Sequence, residues 1–284
     1  FDIELRAPVE LLEPWSTTHS MELGELEEGA YSIILNDAQP NQDLIIEFES
    51  ANEELHTGAL IHSDAETGMS TFLATIEPPA SGQAERLAAE YVFVVDVSGS
   101  MMGQPIHVAT ETVKELLAGL GPADSFNILT FAGSSQTYFD HSVSVTDAQI
   151  ERAVQWLSNG PRGGGTYLID ALNQTFALPK DANKSRNIVV ITDGYVNVQH
   201  DAMALIRAKL GEGNLFSIGI GRSVNRSIIE GMARAGYGEP FVITDLNDAA
   251  VTVDAFIDYA SNPVLTDISV EVEGVQLEGL TGNR

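Results

Sequence analysis

The chain contains no cysteine, which excludes disulfides, thiolate metal sites and a thiol nucleophile. Basic residues are scarce, with 14 Lys+Arg against 41 Asp+Glu in 284 residues and a formal net charge of −27. A surface this acidic repels phosphates, which excludes nucleic acid and anionic lipid headgroups as partners. No apolar run approaches the ~18 residues that a membrane-spanning helix needs. We therefore expect no membrane insertion of this segment.

The composition still permits a folded core. Hydrophobic residues make up 44% of the chain and charged residues 19%, so the charge is a surface property and not a sign of disorder. The charge is uneven, because residues 1–89 hold 18 acidic residues and only two basic ones, Arg6 and Arg86. Phe1 is neither an initiator Met nor the start of a signal peptide, so we expect a fragment of a longer, anchored protein.

Residues 1–87 are predicted to form an antiparallel β-sandwich region. Short apolar runs alternate there with turn-forming residues, as is typical of such folds. The predicted strands cover residues 31–35, 43–48, 58–62 and 70–76. No helical pattern of comparable strength precedes residue 104, which favours an all-β region.

Residues 88–261 are predicted to form an α/β domain with a doubly wound, mostly parallel sheet. Apolar strands and amphipathic helices alternate along this region, and strands covered on both faces have continuous apolar runs. The predicted strands cover residues 91–95, 124–131, 186–192, 214–220 and 240–243. The predicted helices cover residues 105–119, 147–158, 167–178, 201–210, 225–235 and 247–260.

The last residues, 262–284, return to the pattern of the first region. Apolar and polar residues alternate strictly from residue 265 onward, which predicts one or more strands. We interpret them as returning strands that complete the β region. The α/β domain is then inserted into, or flanked by, that region.

Oxygen-bearing side chains follow the strands of the α/β domain, where ligands bind in doubly wound sheets. Asp96, Ser98 and Ser100 occupy alternate positions after the first strand. Thr166 ends a glycine-rich loop, and Asp193 follows another buried strand. Two carboxylates and three hydroxyls, without nitrogen or sulfur, select a hard divalent cation. We predict Mg²⁺ or Mn²⁺, with Ca²⁺ as an alternative.

The charge balance of this donor set predicts how the site is used. If neutral hydroxyls make most direct contacts and the aspartates bind through water, the cation retains affinity for another anionic oxygen. An Asp or Glu of a protein partner can supply that oxygen. Mg²⁺ requires six ligands and keeps exchangeable waters, so an open position is chemically reasonable.

These motifs resemble the metal-ion-dependent adhesion site of the von Willebrand factor A domain, which has a Rossmann-like fold. The resemblance rests on Asp96-x-Ser98-x-Ser100, Thr166 and Thr192-Asp193-Gly194. It implies that Ser98, Ser100 and Thr166 contact the metal, with Asp96 and Asp193 in or just behind the first shell. The segments 92–101 and 262–267 further resemble inter-alpha-trypsin inhibitor heavy chains and their bacterial relatives. Those proteins carry a β-rich region around the A domain.

Enzymatic functions fit the sequence less well. A Mg²⁺-dependent, haloacid-dehalogenase-like phosphatase also places an Asp after its first strand, but it needs a second acid two residues later, where Ser98 stands. A phosphate-binding loop needs a Lys before Thr166, and Gly165 stands there. We therefore predict a binding module and not an enzyme. A structural subunit of a cell-surface assembly, stiffened by its metal, is the alternative.

The predicted function is metal-dependent adhesion to a protein that offers a carboxylate. The binding face is predicted to be rimmed by Met101, Met102, Arg162, Tyr167 and Tyr195. The absence of cysteine leaves the compartment open, because it suits the cytosol and equally a bacterial exterior, where a free thiol is a liability. Within the family that the motifs resemble, it fits a bacterial surface member better than a secreted animal one. The resemblance therefore implies an extracellular or cell-surface location in a bacterium.

Overall fold

The computed structural model describes residues 1–27, 30–36, 42–50, 56–77, 88–211 and 213–261. These residues belong to two compact units, the first ending at Glu77 and the second beginning at residue 88. Among the helices in these ranges, none is both long and apolar enough to cross a membrane. The predicted returning strands at 262–284 lie outside the described residues and stay a prediction.

The first unit contains two antiparallel sheets. Its strands are β1 (Asp2–Leu5), β2 (Glu22–Glu27), β3 (Ala30–Ile34), β4 (His56–Ser63) and β5 (Ser70–Glu77). Strand β3 lies between β1 and β2, and β4 pairs with β5 as a hairpin. The hairpin turn is held by Asp64, whose Oδ1 accepts a hydrogen bond from the Glu66 N–H at 2.8 Å.

Three of the strands predicted in this unit are present as β3, β4 and β5. The prediction of a strand over 43–48 is wrong, because this segment makes a single isolated bridge, from Glu47 to Trp15, instead of a ladder. Strands β1 and β2 were not predicted. Leu23 and Leu26 are the only large apolar residues of β2, which is too few for a clear alternation.

The second unit is a three-layer α/β domain, which confirms the predicted fold class. Its strands are β6 (Ala89–Asp96), β7 (Ser125–Phe131), β8 (Ser135–Thr137), β9 (Val143–Ser144), β10 (Ser185–Thr192), β11 (Asn214–Ile220) and β12 (Tyr237–Ile243). Its helices are α1 (Gln104–Gly119), α2 (Asp147–Asn159), α3 (Leu168–Ala177), α4 (Gln199–Lys209), α5 (Arg226–Ala235) and α6 (Leu246–Ser261). The strand order is β12-β11-β10-β6-β7-β8, and β9 also pairs with β7.

Five strands of this sheet run parallel to one another: β12, β11, β10, β6 and β7. The short strands β8 and β9 pair antiparallel with β7. The two antiparallel strands were not predicted, because runs of two and three mostly polar residues leave no pattern. The outermost strand β12 carries Pro240 and a register irregularity opposite Leu215 and Ser217. The sheet is therefore mostly parallel, as predicted, with its exceptions beside β7.

Both faces of the sheet are covered by helices. Along β6, Tyr91, Phe93 and Val95 belong to the core beneath α1, α2 and α6, whereas Val92 and Val94 belong to the core beneath α3, α4 and α5. Each fully buried side chain of this size contributes about 1.5–3 kcal/mol through removal from water. Because the parallel strands share one direction, the loops after β6 and β10 emerge at the same edge of the sheet.

Candidate metal centre

Two of the loops that carry predicted ligands are tied together by backbone hydrogen bonds. The Gly163 N–H donates to the Val97 carbonyl at 2.7 Å, and the Gly99 N–H donates to the Gly164 carbonyl at 3.2 Å. Gly163 and Gly164 have φ values of 91° and 101°, which side-chain-bearing residues rarely adopt. The glycine-rich loop that ends at Thr166 therefore lies against the loop of Asp96, Ser98 and Ser100.

Asp96 is the most buried of the predicted ligands, with 0% of its surface exposed. Its Oδ1 accepts a hydrogen bond from the Ser98 N–H at 2.8 Å, and its Oδ2 accepts one from the Thr192 hydroxyl at 2.6 Å. The Ser98 and Ser100 hydroxyl oxygens lie 3.3 Å apart. Ser98 is buried and Ser100 is exposed, so the oxygen atoms of the predicted ligands extend from the buried sheet edge to the surface.

Asp193 begins the loop after β10 and is 5% exposed. Its Oδ1 accepts a hydrogen bond from the Tyr195 N–H at 3.1 Å, and its carbonyl accepts one from the Asn225 N–H at 3.1 Å. Gly194 has φ = 78°, and a Cβ atom there would lie 2.8 Å from Cγ2 of Ile228. Glycine is therefore required at this turn, which holds Asp193 at the sheet edge.

Thr192 adjoins the candidate site, although no role was predicted for it from the sequence. Ile191 pairs with Val95 in the parallel register of β10 and β6, so Thr192 and Asp96 end neighbouring strands side by side. The Thr192 hydroxyl binds Asp96 and also accepts the Gly194 N–H at 3.0 Å. The sequence feature that could have pointed to Thr192 is its hydroxyl at the end of a predicted strand, since a neighbouring predicted strand ends in Asp96.

Thr166 lies two residues before the start of α3 and is half-buried. The next residue fixes this end of the loop, because the Tyr167 N–H donates to the Ala132 carbonyl at 2.9 Å. All five predicted ligands thus stand on loops at one edge of the sheet. Among the described residues, no group of three or more His, Cys, Asp or Glu side chains could hold a metal, so a cation at this edge depends on the hydroxyls.

The electrostatic environment of this edge favours a cation. Burial raises the pKa of the Asp96 carboxyl, and the charge of Asp193 raises it further, while hydrogen bonds from Ser98 and Thr192 lower it. No Lys, Arg or His side chain of the described ranges forms an ion pair with Asp96 or Asp193. Two buried acids therefore stand close together with no positive side chain to balance them.

The raised pKa of Asp96 predicts a pH-dependent stability in EDTA. A carboxyl whose pKa is raised on folding stabilises the fold below its unfolded pKa, and this contribution is lost as pH rises through the folded value. Urea unfolding between about pH 4 and 8 should therefore show wild type losing stability relative to Asp96→Asn as pH rises. A difference between the two proteins that stays constant across this range would contradict the raised pKa.

The predicted rim of the site needs one correction. Met101 is fully buried in the core, because the 3₁₀ turn Gly99–Met101 directs it inward, and it does not line the surface. Met102, Tyr167 and Tyr195 are exposed by 61%, 55% and 56%. Arg162 is exposed, and its Nη2 donates to the Ser158 carbonyl at 2.8 Å.

The sequence profile of the von Willebrand factor type A domain matches residues 89–240, which is more than half of the chain. The chain belongs to this family. The match begins and ends within the second unit and includes the loops of Asp96, Thr166 and Asp193. As a member of the von Willebrand factor A family, the domain is a protein-interaction module and not an enzyme, in agreement with the sequence prediction.

Curated relatives in this family include mouse inter alpha-trypsin inhibitor heavy chain 4, which is 28% identical over 211 residues. That match covers 69% of this chain and 22% of the relative. A von Willebrand factor A domain-containing protein of Dictyostelium discoideum is 26% identical over 184 residues, covering 64% of this chain and 20% of the relative. The chain thus spans about a fifth of the length of these relatives.

Solved structures with the same fold include a von Willebrand factor type A protein from Catenulispora acidiphila. It has a TM-score of 0.57 and 18% identity, and the match covers 74% of this chain and 51% of that one. Proximal thread matrix protein 1 of the mussel byssus, solved with a zinc-occupied metal-ion-dependent adhesion site, has a TM-score of 0.51 and 19% identity. That match covers 62% of this chain and 46% of the mussel protein.

Proposed function

We propose that this domain is a metal-dependent binding module that recognises a carboxylate of a protein partner. Ser98, Ser100 and Thr166 would hold a divalent cation, with Asp96 and Asp193 in or just behind its first shell. The observation that carries this proposal is the pair of buried acids without a basic partner among the described residues, beside hydroxyls at the same sheet edge. A bound dication offsets both negative charges.

The donor set fits a hard cation. Carboxylate and hydroxyl oxygens are the ligands that Mg²⁺ and Mn²⁺ prefer, and we propose Mg²⁺ or Mn²⁺ as the resident ion, with Ca²⁺ as the alternative. The mussel byssus protein, which holds zinc in its adhesion site, is a precedent for a divalent ion on this fold. When bound, the cation supplies a Lewis-acidic position that a partner oxygen can occupy.

The chain's own residues prepare this position. The Thr192 hydroxyl and the Ser98 N–H each hold one oxygen of Asp96, so the buried carboxylate is fixed before any ligand arrives. When neutral hydroxyls make the direct contacts, the cation keeps affinity for a further anionic oxygen. A partner carboxylate is therefore attracted to this point on a chain whose net charge of −27 otherwise repels it.

An extracellular or cell-surface location in a bacterium belongs to the same proposal. The absence of cysteine supports it, because a free thiol is a liability outside the cell. A structural relative, the pilus adhesin SpaC of Lactobacillus rhamnosus, has a TM-score of 0.52 at 12% identity, and the match covers 71% of this chain and 33% of the adhesin. That likeness concerns the fold alone, and the location is part of the proposal.

Calorimetric titration with Mg²⁺ and Mn²⁺ tests the site. Thr166→Val removes one hydroxyl at nearly constant size, and we expect it to weaken cation affinity about 10–100-fold, as removal of a supporting ligand does in other metal sites. Ser227→Ala removes an exposed hydroxyl from α5 and serves as the matched control, with affinity unchanged. Equal binding by wild type and Thr166→Val would refute Thr166 as a ligand, and no binding by wild type would refute the site.

A further inference from the structure

Each of the three proposed ligand loops carries one large, exposed apolar side chain just beyond its ligand. Met102 follows Ser100 by two residues, Tyr167 follows Thr166 directly, and Tyr195 follows Asp193 by two residues. All three side chains are more than half exposed. Each proposed ligand loop therefore carries an exposed apolar side chain near its ligand, and we define Met102, Tyr167 and Tyr195 together as the apolar rim.

Exposed side chains of this kind are few in the α/β unit. The large exposed hydrophobics of its described residues are Met102, Tyr167, Tyr195, Tyr237, Val251 and Tyr259. Half of them stand at the ligand loops. Clustered exposed apolar groups mark interaction sites, and Tyr and Met are enriched at protein interfaces.

The backbone of the glycine-rich loop positions two members of the apolar rim. A Cβ atom added at Gly165 would lie 3.2 Å from Cε1 of Tyr167, and one added at Gly163 would lie 3.8 Å from Sδ of Met102. The tyrosine ring and the thioether therefore lie over glycines that leave room for them. Both groups thus stand beside the glycine-rich loop and remain exposed.

A metal–carboxylate contact alone does not select a partner. Every exposed Asp or Glu of a protein offers the same oxygens, and acidic residues are common on protein surfaces. The net charge of −27 does not distinguish one acidic partner from another, because it repels all of them. Selectivity at this site must come from groups beside the cation, and the exposed groups that the structure provides there are mainly apolar.

We propose that the partner presents an Asp or Glu flanked by apolar or aromatic side chains, which pack on the apolar rim while the carboxylate binds at the cation. This inference rests on the proposed function and adds the chemistry of the partner segment. The acid fixes the position and the flanking groups provide the selectivity. Burial of an aromatic or thioether side chain at the centre of an interface is a common source of binding energy.

Selection from a library of random short peptides displayed on phage tests this proposal. The full chain is immobilised in Mn²⁺, and bound phage are eluted with EDTA and sequenced. We expect the eluted pool to contain an acidic residue with aromatic or large aliphatic neighbours. Peptides synthesised from this pool should bind the rim variant, Met102→Ser with Tyr167→Ser and Tyr195→Ser, at least about tenfold more weakly than wild type.

The controls separate the rim from the metal site and from folding. Val251→Ser with Tyr259→Ser removes exposed apolar groups elsewhere on the same unit and should bind the selected peptides like wild type. The rim variant should keep wild-type Mn²⁺ affinity and melting temperature. An EDTA-eluted pool with acids but no apolar neighbours overturns this inference and leaves the proposed function standing. The absence of any EDTA-dependent pool overturns the proposed function, and this inference with it.

Discussion

An Asp96→Asn variant is expected to melt at the same temperature with and without Mg²⁺, whereas wild type melts higher with Mg²⁺. At a metal concentration about 100 times the dissociation constant, binding to the folded state stabilises it by about 2.7 kcal/mol. The asparagine keeps the shape of Asp96 and can still accept the Ser98 N–H, but it has no charge for a cation. In EDTA at neutral pH the variant is expected to be more stable than wild type, because a buried, unbalanced charge has been removed.

Asp124→Asn is the matched control for this experiment. Asp124 is also a buried aspartate, 2% exposed, and it accepts hydrogen bonds from the Ala89 N–H at 2.9 Å and the Gly121 N–H at 2.7 Å. It lies before β7, at the opposite edge of the sheet from the proposed site. We expect this variant to lose stability yet keep the full Mg²⁺-dependent shift in melting. An equal shift in Asp96→Asn and wild type would argue against a cation at Asp96.

Removing the charge of Glu90 is expected to destabilise the α/β unit by about 3–5 kcal/mol. Glu90 and Arg186 pair in the parallel register of β6 and β10, and they are 1% and 7% exposed. Two hydrogen bonds join them, from Arg186 Nε to Oε2 at 2.8 Å and from Nη2 to Oε1 at 3.1 Å. In Glu90→Gln the guanidinium stays buried without a carboxylate, and urea unfolding followed by circular dichroism measures the loss.

Other partners of this pair explain why a single substitution is so costly. Arg186 also donates to the Leu178 carbonyl at 3.0 Å and to the Pro179 carbonyl, and the Ser142 hydroxyl donates to Glu90. The double change Glu90→Leu with Arg186→Met should recover most of the stability, because it removes both charges together. Glu111→Gln breaks an exposed pair with Lys114 and should change stability by less than about 1 kcal/mol. A similarly small loss in Glu90→Gln would contradict the assigned role of the buried pair.

The parallel sheet could be predicted from sequence because its strands are buried on both faces. Continuous apolar runs such as 91–95 are typical of parallel strands when helices alternate with them, and the covered faces of β6 confirm this interpretation. The first region was predicted less well. Its strands are partly exposed, so polar residues interrupt the pattern, and the apolar segment at 43–48 makes one isolated bridge in place of a strand.

The sequence was enough to predict which residue types stand at the sheet edge. It was not enough to predict which of these side chains face the core and which face the surface. Asp96 and Asp193 follow apolar runs, so their position at the strand ends could be read from the sequence. The burial of Met101 could not, because a single 3₁₀ turn decides which of two consecutive methionines faces the core. The bond from Thr192 to Asp96 depends on the register between β10 and β6, which no local pattern specifies.

The outermost strands of the sheet have a consequence for how this domain can assemble. Strand β8 has three residues, and β12 combines Pro240 with a register irregularity. Within the described residues, neither strand offers a long, regular row of amide groups to a further chain. Growth of the sheet from one molecule to the next, the route by which fibres form, is therefore interrupted on both sides.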